Sequence, residues 1–457
     1  MRRTAIELAE QVRSGRSSAV DIVTSHLEAI ERLEPQLNAF TQLLPEAALA
    51  VAASIDARRG DGQPLGPLAG VPIGVKDLID QANTPNTLGT SGEPAVPTAD
   101  ATCVARLLEA DAVIVGRTGL HEYAYGFSSE NHWFGPVHNP WDLDTSPGGS
   151  SGGSAAAVSA GVLPAALGTD TGGSVRVPAA LCRVVGLKVS HGRVPLTGVF
   201  PLVPSVDTVG PLTRTVADSR LMYTVMAGFD PADPWSVPIE TASEQSPALN
   251  KLTIGVPHPW ADTGLSPDVA RGWSWFRNAV TEAGATVIDI ELPELTFPGK
   301  VVESLAAEVA HVHRDRFAAA PESYSPEVRT RLESTFETSI DDYLEGLEWR
   351  ATLRRSLRTG FDQCNVVATP TVAAMHKTIG VDTMETGGAE VPYRLALSHF
   401  TAPVNHALVP ALSLPLGEHV TGVQLIGPMW SESLLLGIGE RLEGAGIAST
   451  PLPPHHF

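Results

Sequence analysis

The chain has little of what several protein classes require. Its three cysteines in 457 residues, Cys103, Cys182 and Cys364, cannot build a disulfide framework. They show no CxxC spacing and no neighbouring histidine, which argues against a zinc site and for a reducing, cytoplasmic setting. No apolar run reaches the roughly 18 residues that a bilayer-crossing helix needs. Met1-Arg2-Arg3 opens like a twin-arginine leader, but Thr4-Ala5-Ile6-Glu7-Leu8 carries a charge where such a leader is apolar. Positive charge is also scarce: 31 Lys and Arg stand against 51 Asp and Glu, a net charge of −20. That balance keeps the protein soluble and speaks against nucleic acid or an anionic membrane as a partner.

What is present is a globular composition, 43% hydrophobic with a mean hydropathy of +0.05. The first 60 residues read as a helical layer. Ala5, Leu8, Ala9 and Val12 recur at helical spacing before Gly15. Ser18 precedes a second run, Ile22 to Leu33, expected to end before Pro35, and Pro45 to Arg59 forms an alanine-rich third. From about Leu65 short apolar runs alternate with helical ones: Val71–Val75, Thr102–Ala110 and Ala112–Val115. A helix from Ala155 is expected to continue into Leu163–Leu167. Leu252–Val256 and Thr286–Ile290 flank a helical Val269–Ala283. Asn365–Thr369, Ala411–Leu414 and Gly422–Ile426 are further strand candidates, and Glu432–Leu442 a closing helix. This is the grammar of an α/β sheet. Asp230–Ser246 and Thr378–Glu390 read as surface excursions within one unit over 1–457, and Thr450–Phe457, with His455 and His456, as an irregular tail.

Chemistry concentrates between Ser146 and Pro178, where two serine-bearing glycine clusters lie, Gly148–Ser154 and Gly172–Ser174. The first fits neither GxxxxGK[ST] nor GxGxxG, so it is not read as a phosphate loop. A serine hydroxyl needs an adjacent base to become a nucleophile. Ser174 follows two glycines, which let successive backbone N–H groups converge; Thr171, Gly172, Gly173 and Ser174 are the candidate oxyanion donors. Losing one such donor typically costs about 100- to 1000-fold in rate. Lys76 ends the apolar stretch Val71–Val75, so burial is expected to strip its amine of its proton and make it the base. The next residue, Asp77, would oppose that unless it points elsewhere, as successive side chains on a strand do. Ser150 can accept and donate at once and so bridge Ser174 to Lys76. Asp170 and Arg176 flank the Ser174 loop and are expected to pair in its support, while Ser151 and Ser154 read as loop hydrogen bonders or a helix cap.

As a set these residues resemble the amidase signature family. The motifs are Gly70-Val71-Pro72-Ile73-Gly74-Val75-Lys76-Asp77, Asn139-Pro140-Trp141-Asp142, Ser146–Gly153 and Gly168–Pro178, joined by Pro410–Pro415 and Gly422–Gly427. The likeness is dense over about 65–218 and looser over 219–457. It implies a Ser–cis-Ser–Lys triad on Ser174, Ser150 and Lys76, with a cis peptide before Ser150. It also implies a large mixed, twisted β-sheet covered by helices on both faces, and no metal or cofactor. The expected activity is hydrolysis of a small carboxamide through a Ser174 acyl-enzyme.

Glu308, His311 and His313 read as helix-face residues, because no third ligand has metal-site spacing. Of the aromatics Tyr123, Tyr125, Phe127, Trp133 and Phe134, Tyr125 and Phe127 are the pocket candidates. Leu196–Pro204, Val301–Arg316 and Pro392–Val404 are expected to wall that pocket, and a homodimer is the default assembly. Two other functions compete. One is the glutamine-hydrolysing subunit of a tRNA-dependent amidotransferase. That branch resembles Asp-x-x-Thr where this chain has Ser398-His399-Phe400-Thr401, and has Gln before the proline where this chain has Val177-Pro178. The other is a non-catalytic binding protein on the same fold, which the intact Ser-Ser-Lys set opposes.

Overall fold

The computed structural model describes residues 3–239, 246–295 and 301–453. Its strands in chain order are β1 (Phe40–Leu43), β2 (Pro72–Lys76), β3 (Val113–Thr118), β4 (Glu130–Asn131), β5 (Gly135–Pro136), β6 (Ala165–Asp170), β7 (Val185–Lys188) and β8 (Thr208–Thr213). They continue as β9 (Thr253–Pro257), β10 (Thr286–Ile290), β11 (Val366–Pro370), β12 (Thr383–Thr386), β13 (Ala389–Pro392), β14 (Ala411–Pro415) and β15 (Gly422–Ile426). Eleven of them form a mixed sheet in the order β1-β3-β2-β6-β8-β7-β14-β15-β11-β9-β10. Every residue of β2, β3, β6, β7, β8, β11, β14 and β15 is buried. Since successive side chains point to opposite faces, both faces of the sheet are covered by helices. Exposure appears at the edges, in β1 and β10, and at Thr253 where β9 begins.

The parallel pairing of β2 with β6, Val75 opposite Leu167, brings the carboxyl ends of those strands side by side. The antiparallel β8 sets Thr208 against Asp170. Lys76, Thr169, Asp170 and Asp207 thus meet at one end of three neighbouring strands. The helix Gly152–Ser159 is built of glycine, serine, alanine and one valine and is wholly buried, which lets it lie close on this part of the sheet.

Several expectations shift in the structure. The helix expected to end before Pro35 runs from Ala19 to Leu37 and stops at Asn38 in the left-handed region, where the Asn38 N–H bonds the Glu34 carbonyl at 2.9 Å. The helix expected to carry on into Leu163–Leu167 ends at Ser159; Gly161 turns the chain at φ 74°, and Ala165–Asp170 is β6. β1, β7 and β8 were not expected, nor were the helices Val216–Met226, Pro326–Thr335 and Ile340–Phe361. Thr378–Glu390 carries most of the two-stranded β12–β13 hairpin. Residues 240–245 of the Asp230–Ser246 excursion, and His455 and His456 of the tail, lie outside the described residues. Among the described residues no helix is long and apolar enough to cross a membrane.

Candidate active site

Lys76 is fully buried at the end of β2. Its Nζ lies 2.7 Å from Ser150 Oγ, 2.8 Å from Thr169 Oγ1 and 3.0 Å from Ser151 Oγ, a cage of three hydroxyls. Burial lowers its pKa to about 7, and the carboxylates of Asp170 and Asp207 limit that fall. Asp77 does not oppose it: its carboxylate accepts from Arg117 Nε at 3.3 Å and Thr41 Oγ1 at 2.8 Å. A neutral amine donates two of its three cage bonds and accepts the third, so it can take a proton from Ser150.

The Gly149–Ser150 peptide is cis. The Ser150 carbonyl accepts from the His121 N–H at 3.1 Å and from Ser129 Oγ at 3.3 Å. Gly168 lets this loop rest on β6, because a Cβ there would lie 2.7 Å from Ser151 Oγ. Ser151 does not cap the following helix through its side chain; its hydroxyl serves Lys76 and the Thr169 carbonyl instead. Ser154 Oγ donates to the Leu167 carbonyl at 2.7 Å.

Ser174 is 3% exposed, and its carbonyl accepts from the Ser151 N–H at 3.2 Å, which stitches the two glycine clusters together. Its hydroxyl makes no hydrogen bond to a described side chain. The structure therefore joins Lys76 to Ser150 directly and Ser174 to this pair through the backbone. Catalytic contacts of this kind commonly tighten only around the reacting group.

The four expected oxyanion donors do not all remain. The Gly173 N–H donates to Asp170 Oδ1 at 2.9 Å and drops out of the set, leaving Thr171, Gly172 and Ser174. The cause is Asp170 itself, which also collects the N–H groups of Val175 and Arg176. Gly173 adopts φ 136°, and a Cβ there would overlap Thr401 Oγ1.

Asp170 and Arg176 pair side-on through Nε–Oδ2 at 3.0 Å and Nη2–Oδ1 at 2.9 Å. Burial alone would push the Asp170 carboxyl up, but Arg176, Lys188 and Asn405 outweigh it and hold the group far below the usual carboxylate range. Asn405, Gln424 and the Thr401 carbonyl accept from the remaining guanidinium N–H groups, and Thr401 Oγ1 donates to the Gly172 carbonyl at 2.7 Å. These three residues, with Thr169 and Asp207, are the members of the site that sequence reasoning does not assign. Thr169, Thr401 and Gln424 stand inside motif or wall stretches already named, and Asn405 directly follows one; Asp207 carries no such signal.

Phe127 lies against the cradle, its Cζ 3.2 Å from where a Gly172 Cβ would be. Tyr125 faces the helix Pro326–Thr335 instead: the Arg331 guanidinium stacks 3.7 Å over its ring and Thr335 Oγ1 lies 3.0 Å from its hydroxyl. Tyr123 packs among Phe200, His313 and Tyr324. Ser205 occupies Glu308, and Tyr324 meets His313 Nδ1. Among the described residues no group of His, Cys, Asp and Glu is placed to hold a metal ion. A cavity of about 280 Å³ lies at the far end of the helix Arg176–Leu181, lined by Trp141, Leu181 and Arg183 among others, and includes no triad residue.

Known proteins resemble this chain in sequence and in fold. The family model described as Amidase matches residues 21–436. A glutamyl-tRNA(Gln) amidotransferase subunit of Chloroflexus aggregans is 36% identical, over 94% of this chain and 93% of its own. AtzE, the 1-carboxybiuret hydrolase subunit of Pseudomonas sp. strain ADP, is also 36% identical, over 97% and 98%. A solved structure described as a vestigial protein complex that reveals the evolutionary origins of an s-triazine catabolic enzyme superposes with a TM-score of 0.91 at 35% identity, covering 98% of this chain and 100% of that one.

Proposed function

We infer the reaction from lineage and geometry together: the chain belongs to the amidase signature family, enzymes that act on amide C–N bonds. In this reading Ser174 attacks the carbonyl of a small carboxamide and its proton passes through Ser150 to neutral Lys76. The backbone N–H groups of Thr171, Gly172 and Ser174 stabilise the oxyanion. The proton then returns to the leaving amine, and water hydrolyses the acyl-enzyme. The observation that carries it is Lys76, buried with no bonded counter-ion among the described residues and 2.7 Å from the hydroxyl of Ser150. Phe127, set against Gly172, bounds the acyl side of the pocket.

Intact mass after exposure to a panel of small amides tests this. The expected result is an acyl adduct on Ser174 and none on Ser174→Ala. A Ser174→Ala enzyme with wild-type turnover sinks the reading, and the absence of any adduct or turnover revives the binding-protein alternative.

The second reading, a glutamine-hydrolysing amidotransferase component, draws on the names of the relatives. Against it, Ser398 occupies the place of the expected acid, and its hydroxyl donates to the Arg394 carbonyl at 2.7 Å. A stand-alone amidase is the better supported of the two.

A further inference from the structure

Asp207 precedes β8 and is 6% exposed. One carboxylate oxygen accepts from Thr171 Oγ1 at 2.6 Å. The other accepts from the N–H groups of Leu202 at 2.8 Å and Val203 at 3.0 Å. It therefore ties the first residue of the oxyanion cradle to a separate loop of the chain. All three of these donors are neutral.

Its charged surroundings sharpen the point. Asp170, across from β8, is matched by Arg176. Glu308, from the helix Val301–Ala319, faces Asp207 and has Arg350 of the helix Ile340–Phe361 at 3.7 Å. His191 approaches only the Asp207 carbonyl, through Nδ1 at 2.9 Å, and burial keeps its ring neutral, with a pKa of about 4. Lys76 lies within electrostatic reach on β2. No described Arg or Lys bonds the Asp207 carboxylate, and after Asp170 its charge is the second that raises the pKa of Lys76 against the effect of burial.

We propose that Asp207 is a positioning residue for the reaction: its carboxylate fixes Thr171 of the cradle through Oγ1, and its unmatched charge holds back the loss of the proton from Lys76. The proposal rests on the acyl-transfer reading of Ser174, Ser150 and Lys76. One group would then set both the shape of the oxyanion donors and the pH at which the base becomes free. Burial raises the pKa of Asp207 to about 6, and the hydrogen bonds from Thr171, Leu202 and Val203 oppose that rise and favour the ionised form.

A fluorophosphonate probe tests this without knowledge of the natural substrate. Ser174 Oγ forms the bond to phosphorus, fluoride leaves, and the hydroxyl proton goes by way of Ser150 to Lys76. The phosphonyl oxygen sits where the oxyanion would. Labelling rate is measured against pH for wild type, Thr171→Val, Thr171→Ser and Asp207→Asn. Thr171→Val is expected to lower the plateau about tenfold or more, because a hydrogen bond to a charged group is lost. Thr171→Ser, which keeps the hydroxyl, restores the plateau. Asp207→Asn is expected to move the acid limb to lower pH by roughly half a unit or more, since removing an anion makes the lysine easier to deprotonate.

A wild-type plateau in Thr171→Val, or an unmoved limb in Asp207→Asn, overturns the proposal. Should Asp207→Asn fail to fold, the Thr171 pair alone decides, because it leaves the carboxylate in place. A wild-type enzyme that is not labelled, or a Ser174→Ala variant that is, strikes the acyl-transfer reading instead.

Discussion

Arg176 grips Asp170 through two parallel hydrogen bonds, and both side chains are wholly withdrawn from water. The pair is a fixed post beneath the Ser174 loop, since Asp170 also holds three N–H groups of that loop. Breaking one partner of such a pair strands a buried charge. Arg176→Met is therefore expected to cost about 3–5 kcal/mol of stability. Combined with Asp170→Asn it should cost less than the sum of the two single changes. A double-mutant cycle by chemical denaturation measures this, and simple additivity would show the two residues to be uncoupled.

Lys76 carries a pH signature in both activity and stability. As a base it must be uncharged, so activity is expected to rise through pH 7 and level off above it. The sign for stability follows from its depressed folded-state pKa. Between about 7 and the ordinary 10.5 the unfolded chain binds a proton that the folded chain does not. Unfolding free energy should thus climb with pH across that window in the wild type, and this rise should be missing from Lys76→Met. Urea unfolding of both proteins at pH 7 and pH 9 checks it. Equal pH slopes would mean that Lys76 is not held neutral in the fold.

The legibility of this site from sequence has a physical pattern. Lys76, Ser150, Ser174, Asp170 and Arg176 all fall within local motifs whose glycine spacing or apolar context marks them. Asp207 comes from a segment without such a mark and reaches the site only through the sheet. Gly173 shows the converse limit: the motif supplied an N–H, but only the fold revealed that Asp170 claims it. Among strands, Val71–Val75 and Gly422–Ile426 stood out as mostly apolar runs framed by the motifs Gly70–Asp77 and Gly422–Gly427. No such motif frames β7 and β8, although every residue of both is buried. The helix Ile340–Phe361 is charged along most of its length and shows little apolar periodicity.

Phe127 touches the cradle and Tyr125 does not, which separates the two pocket candidates. Phe127→Ala is expected to widen the space beside Gly172. It should raise kcat/KM for bulky acyl groups relative to acetamide by about tenfold or more, as the transfer of one or two methylenes into a pocket permits. Tyr125→Phe removes only the hydroxyl that meets Thr335 and should leave that ratio near the wild-type value. A chain-length series of linear amides distinguishes them; the same ratio in all three proteins would place the acyl group elsewhere.

Ser398 bears on the choice between a stand-alone amidase and a glutamine-using subunit. A substrate with a free α-ammonium group needs a negative partner, and the Ser398 hydroxyl is uncharged and turned back to the Arg394 carbonyl. The purified chain is therefore expected to hydrolyse simple amides with a higher kcat/KM than glutamine, by about tenfold or more, the usual margin when an ammonium lacks a charged partner. Ammonia release measured for glutamine, glutaramate and propionamide in parallel makes the comparison. Glutaramate keeps the carboxamide and the carboxylate and drops only the ammonium, so it isolates the missing contact. Glutamine turned over as fast as glutaramate by this chain alone would favour the amidotransferase reading.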